Sequence, residues 1–349
     1  MAGYYRNHPL SRRSMNRILA VALIGLATLA AIAGWGWWRY AHAPLPLAQP
    51  GLEVEIDRGA AGTAVSAALR RQGVAVPDWL FSLALRWRGD GPRIRAGSYQ
   101  IDGPITLQAL LDRLTRGDVT LRDITLVEGW NFRQVRAALA RHPDLRPDSA
   151  ALDDAQLLAR IGAAEPHPEG LFAPDTYAFA RGTSDLDVLR RAYRLQQQRL
   201  ATAWENRPQG PDATPLRSAY ELLILASIIE KETGREDDRP KVAAVFLNRL
   251  RIGMMLQSDP TTIYGLGESF DGNLRRRDLL ADTPYNTYTR KGLTPTPIAM
   301  PGQAALSAAL NPAPIRALYF VARGDGSSEF SNDLAAHNRA VNRYQRKAP

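Results

Sequence analysis

At 349 residues the chain is longer than one average domain, carries a formal net charge of +9 and contains no cysteine. Disulfides, thiolate metal sites, a cysteine nucleophile and a lipid-modified N-terminal cysteine are therefore excluded. Arg6, Arg12, Arg13, Arg17 and Arg39 stand among residues 1–50 with no acid, so +5 of the charge sits there and +4 remains for the rest. That surplus suits an anionic wall or membrane surface, and no basic run interleaved with stacking aromatics points to nucleic acid. Five scattered histidines show no HExxH-like spacing, so no metal and no cofactor is expected.

Ile18 to Trp38 gives 21 residues without a charge, about 31 Å of helix at ~1.5 Å per residue, which matches a bilayer core. The rival is a cleavable signal peptide ending at Ala41-His42-Ala43. The apolar run exceeds the usual core of such peptides and Pro44 would directly follow the cut, so a retained span is expected. Four arginines precede it, and Trp35, Trp37, Trp38 and Tyr40 close it as an interfacial belt. The positive-inside rule then leaves residues 1–17 as a cytoplasmic tail and puts the bulk of the chain outside. Residues 39–51, with Pro44, Pro46 and Pro50, read as a linker.

A small α+β unit is expected over residues 52–119: a strand at Leu52–Asp57, a helix at Thr63–Gln72, a second helix capped by Asp78, a strand at Arg93–Ile101, and a third helix capped by Thr106 and ended by Gly117. Nothing in it has catalytic character. It reads as a binding or positioning module, with a structural role as the plain alternative.

Residues 120–349 form the larger domain. Leu121–Val127 reads as a strand, Asn131 opens a helix with Val135, Ala138 and Leu139 inward, and Glu169 to Tyr177 is a dense turn-and-aromatic segment. A long amphipathic helix covers Leu186–Trp204. After a break at Pro208–Pro215, Ser218 and Glu221 announce a capping box and a helix over Ala219–Thr233. Seven of the eight residues from Leu222 to Ile229 are apolar, which places this helix in the middle of the domain. Gly234 supplies a left-handed stop.

Glu230 therefore leaves an apolar interior within one turn of the helix end. Withdrawn solvent and the negative helix terminus raise its pKa while Lys231 opposes them. A carboxyl protonated near neutrality is what a general acid in glycosidic cleavage requires. The plain reading is a solvated or ion-paired Glu, and position does not separate Glu230 from Glu232. Pro240 then starts a helix ended by Gly253, followed by Leu256-Gln257-Ser258-Asp259-Pro260 and a run from Asp282 to Gly302 with neither helix nor strand. A run that long is usually a functional loop. Tyr285 and Tyr288 offer faces for sugar rings, and Asn286, Thr287 and Thr289 offer hydrogen bonds. A hairpin over Leu318–Ala322 and Glu329–Ser331 and a helix capped by Asp333 close the chain. Leu334, His337, Val341 and Tyr344 are expected on its inner face, His337 as a hydrogen-bonded core residue.

The stretches LASIIEKETG (Leu225–Gly234), VFLNRLRIGMMLQSDPTTIYG (Val245–Gly265), YNTYTRKGL (Tyr285–Leu293), PIAMPG (Pro297–Gly302) and AHN (Ala336–Asn338) together resemble the MltG-type, or YceG-like, endolytic murein transglycosylases. EGLFAPDTY and RAGSYQI agree more weakly, and GLTPTPIAMPG departs from the family's usual GLPPxPIANPG at Thr294 and Met300. The resemblance implies an α+β chain: one N-terminal transmembrane helix, a small LysM-like subdomain at 52–119, and a mixed α+β catalytic domain with a buried central helix. It also implies a single-pass enzyme of the bacterial inner membrane with a periplasmic catalytic domain. Such an enzyme cuts nascent peptidoglycan glycan strands internally and could work beside peptidoglycan synthases.

The family's essential Glu aligns with Glu230, and the small Ala226 and Ser227 one turn before it are expected to leave room for substrate. Glu230 would protonate the bond between N-acetylmuramic acid and N-acetylglucosamine, then deprotonate the muramoyl C6 hydroxyl, leaving a 1,6-anhydro end. Gln257, Asp259, Asn286 and Tyr288 are expected to orient sugar and leaving group. Two rivals remain: a lysozyme-like hydrolase with Asp259 holding water, and a wall-binding scaffold that does not need Glu230.

Overall fold

A computed structural model describes residues 12–57, 59–60, 62–210 and 214–345; the expected cytoplasmic tail lies outside them as far as residue 11. The chain divides into two compact units that meet in sequence at Leu121 and Arg122. The amide of Thr120 is held by the carbonyl of Ser98, so the first unit runs slightly further than the expected end at residue 119.

In the first unit one helix runs from Arg12 to His42, and its stretch Met15–Arg39 is long and apolar enough to cross a membrane, with no residue of its apolar window buried in protein. Beyond it, strand Leu52–Ile56 pairs antiparallel with Gly97–Ile101, Val54 opposite Tyr99. Helices Thr63–Arg71 and Asp78–Arg88 lie between the two strands in sequence, and Leu107–Arg116 follows, capped by Thr106 and ended by Gly117 at φ 73°. Asp78 is the first helical residue rather than the cap. Its carboxylate takes the Ser66 hydroxyl and pairs with Arg70, tying the two helices together. Val54, Leu69, Leu80, Phe81, Leu110 and Leu114 make a core of their own.

The second unit is built around helix Ala219–Glu232, whose residues from Leu222 to Ile229 are all buried. Four helices pack on it, Asp185–Glu205, Arg239–Arg251, Asp259–Leu266 and Gln303–Leu310. Apolar neighbours on every side are why it carries no polar stripe. Strand Leu121–Leu126 pairs with Asp175–Ala180, and hairpin Tyr319–Ala322 with Ser328–Ser331 backs the final helix, Leu334–Tyr344. Residues 282–302 hold neither helix nor strand.

Three local expectations change. Ser218 does cap the central helix, accepting from the Glu221 amide at 3.1 Å, but the Glu221 carboxylate takes the amide of Arg217 rather than that of Ser218. The helix stops because Thr233 turns extended at φ −149°, and Gly234 is not in the left-handed region. Leu334 is exposed instead of facing inward, and the buried residue of the last helix is Ala340.

Candidate active site

Glu230 lies where the central helix emerges beneath two chain segments. The Gly302 amide donates to its Oε2 at 2.9 Å. Gly302 belongs to the loop over residues 298–302, which is fixed from below by the Ser227 hydroxyl. That hydroxyl donates to the Ile224 carbonyl and accepts from the Ile298 amide at 3.0 Å. Ser227 is fully buried, so the space expected for substrate beside it holds loop backbone instead.

The second segment is Glu128-Gly129-Trp130. Its Gly129 amide donates to Met300 O at 2.9 Å, and Trp130 O accepts from the Met300 amide at 2.7 Å. Lys231 reaches across to the Gly129 carbonyl. The exposed Glu128 carboxylate occupies the space where a side chain on Gly302 would stand, which sets a second carboxyl beside Glu230.

Burial pushes the Glu230 carboxyl above the usual carboxylate range, against the Gly302 hydrogen bond; Glu128 adds to the rise, while Arg239 and Lys231 oppose it. Arg239 is buried at the start of its helix and its Nε has no hydrogen-bond partner among the described residues. The group so arranged holds its proton more tightly than an ordinary carboxyl, can release it, and has the resulting carboxylate met by an N–H and two cations.

The other expected site residues gather elsewhere. Glu232 accepts from the Ser258 hydroxyl, and burial pushes it up to about 7 with Asp259 adding and Arg249 opposing. The Tyr288 hydroxyl donates to Asp259 Oδ1 at 2.5 Å, so Asp259 and Tyr288 keep company with Glu232, not with Glu230. Gln257 is exposed and is the one non-glycine residue at positive φ among those described, 50°, with its amide on Thr287 O.

Asn286 is fully buried. Its side-chain amide donates to the carbonyls of Asp278, Leu279 and Ala281, and its Oδ1 accepts from the Tyr288 amide. Thr287 is buried too, accepting from the Ser258 amide and sharing a hydroxyl contact with Thr261. These groups, expected to face a sugar, turn inward instead: Asn286 ties the loop to the carbonyls of Asp278, Leu279 and Ala281, and Thr287 ties it to Ser258 and Thr261, because buried polar groups must be satisfied within the protein. Tyr285 leans on Tyr264 at 5.0 Å and bonds Thr296. His337 stacks on Tyr319, and among the described residues its Nδ1 has no hydrogen-bond partner, contrary to the hydrogen bond expected of it.

Sequence reasoning missed Glu128, Arg239 and Glu169. Glu169 is 3% exposed and takes the Phe132 amide and the Tyr264 hydroxyl on one carboxylate. Burial pushes it up to about 7. Its neighbour Gly170, at φ +79°, has Pro297 2.5 Å from where a Cβ would stand, so the EGLFAPDTY segment seats the loop that delivers Gly302. A Glu-Gly pair in that dense segment was the available signal.

The sequence model of the YceG-like family matches residues 54–343. The chain belongs to the YceG-like family. It is 31% identical over 310 residues to a protein of Bacillus subtilis named endolytic murein transglycosylase, covering 84% of each chain. A Streptococcus pneumoniae protein of the same name is 24% identical, with 91% of this chain covered but only 63% of that longer relative. The crystal structure of a YceG-like protein from Listeria monocytogenes superposes with a TM-score of 0.51 at 27% identity, covering 84% of this chain and 99% of that one. YceG-like membership thus rests on both units, since the matched residues run through the small unit and the larger one.

Proposed function

We propose that this YceG-like protein is an endolytic peptidoglycan lytic transglycosylase, with Glu230 serving first as general acid and then as general base. The observation that carries the reading is the Glu230 carboxyl itself, raised in pKa by burial yet held at one oxygen by the Gly302 amide. Glu230 gives its proton to the oxygen leaving C1 of N-acetylmuramic acid, and the C1–O bond to N-acetylglucosamine breaks. The Gly302 N–H, Lys231 and Arg239 favour the carboxylate so formed. The muramoyl C6 oxygen then closes onto C1 and returns its proton to Glu230, leaving a 1,6-anhydro end without consuming water. Glu128 is proposed to face the positive charge that develops at C1.

Gln257, Asp259 and Tyr288 are proposed to contact sugar from the Glu232 side of the helix, and Asn286 to shape the loop that carries Tyr288. The exposed helix Met15–Arg39 is proposed as a single-pass anchor in the inner membrane, N-terminus in the cytoplasm, with the catalytic unit in the periplasm. The unit between them, a strand, two helices and a strand paired antiparallel, is proposed as a LysM-like glycan-positioning module. Peptidoglycan synthases are proposed as partners because strand cleavage must follow strand synthesis.

A water-using muramidase is the second reading, and Glu128 favours it: two carboxyls flanking one bond are the hydrolase arrangement. Asp259, the residue first expected to hold water, is instead engaged by Tyr288. The test of the main reading is cleavage of purified glycan strands by the wild type and by Glu230→Gln. A folded variant that cleaves at the wild-type rate would remove Glu230 from the reaction.

A further inference from the structure

Helix Asp78–Arg88 has two apolar faces. Leu80, Phe81, Ala84 and Leu85 point into the small unit's core. On the other side Trp79, Leu83 and Trp87 recur every four residues and are 64%, 47% and 80% exposed. A helix bordering water ordinarily carries polar residues there, and contiguous exposed aromatics mark an interaction surface.

The span fixes the level of this face. Trp87 stands edge-on to Trp37, with ring centroids 6.2 Å apart and planes at 79°, and Trp37 belongs to the tryptophan cluster that ends the apolar run. Such belts sit at the headgroup boundary. At ~1.5 Å per residue Leu83 is about 6 Å along the axis from Trp87. That is comparable to the ~5–7 Å depth of one headgroup layer, so Leu83 stays at or near that layer whatever the tilt of the helix. An apolar cleft of about 330 Å³ opens at the same level between Trp37, Trp38, Ala84, Trp87 and Leu111. Indole rings suit such a boundary because their bodies are apolar and their N–H groups polar.

We propose that the Leu83–Trp87 face, continued by Trp79, rests on the lipid headgroup–acyl boundary of the leaflet from which the span emerges. This makes the small unit a second membrane contact. The inference rests on residues 15–39 spanning the bilayer. It gives the small unit a role that a glycan module alone does not need: the span and the docked helix together restrict how the unit can swing.

The chain has no cysteine, so single cysteines can carry an environment-sensitive fluorophore in the full-length protein reconstituted in phospholipid vesicles. Labels go at Leu83→Cys, at Ile24→Cys within the span, and at Asp237→Cys, an exposed turn residue, as the aqueous reference. The proposal expects Leu83 emission to be blue-shifted and to lose more than about half its intensity to lipids bearing a nitroxide near the headgroup, with less loss to one near the bilayer centre. Ile24 should show the reverse order and Asp237 neither effect. A Leu83 label that behaves like Asp237 while Ile24 is quenched overturns the docking and leaves the anchor standing. A Leu83 label shielded without nitroxide quenching also overturns it and indicates a protein contact. Loss of quenching at Ile24 as well overturns the anchor and the docking together.

Discussion

The Gly302 amide meets the Glu230 carboxylate at 2.9 Å across 72 residues of sequence. Gly302 has an ordinary φ of −74°, so alanine is tolerated by the backbone there. What it would meet is the flexible end of Glu128. Gly302→Ala is therefore expected to displace Glu128 while changing unfolding free energy by less than about 1 kcal/mol, and to lower glycan cleavage. Full activity together with an unchanged melt would show that Glu128 has no part in the site.

Removing the Glu128 charge by Glu128→Gln lowers the Glu230 pKa, because that charge disfavours the ionised form. A general acid works only while protonated, so the alkaline limb of the rate profile should move to lower pH. The measurement is glycan cleavage from pH 5 to 9 for both proteins, and coincident limbs would uncouple the two carboxyls.

Glu169 and Glu232 both titrate near 7 in the folded chain, well above an unfolded glutamate at roughly 4.3. Between those values the native state holds protons that the unfolded state has released, so their contribution is fully present below about pH 4 and is lost as pH rises through about 7. For Glu169 the span corresponds to roughly 4 kcal/mol as an upper bound. Thermal melts of the wild type against Glu169→Gln should converge as pH rises from 5 to 8, the variant showing the flatter dependence. Parallel curves would contradict this.

Asn286→Ala takes away the donor that ties the 282–302 loop to the carbonyls of Asp278, Leu279 and Ala281 just before it. A loss on the order of 3 kcal/mol in stability is expected, with activity falling because the loop loosens. An unchanged melting temperature with weaker glycan binding would instead give Asn286 the sugar contact first expected of it.

The elements legible in the sequence were those written in local chemistry. Thr106, Asn131, Ser218 and Asp333 each accept a hydrogen bond at a helix start, because a cap is settled within four residues. The apolar run Leu222–Ile229 announced its own burial in the same way. The site was legible only in Glu230. Glu128 reaches it from about a hundred residues earlier in the chain and Gly302 from 72 residues later, and nothing local marks them. The inward turn of Asn286 and Thr287 was hidden for a related reason: polar side chains in a loop read alike whether they face a ligand or the polar groups of neighbouring chain segments.

The central claim is that the muramoyl C6 oxygen, not water, takes C1 after Glu230 releases its proton. It is tested most directly by cleaving glycan strands with the full-length protein in heavy-oxygen water and weighing the new ends. The account predicts 1,6-anhydromuramoyl ends free of label, at a rate that falls by at least ~10²-fold in a folded Glu230→Gln variant. Reducing ends carrying heavy oxygen at C1 from the cleavage step would contradict it and make the protein a hydrolase.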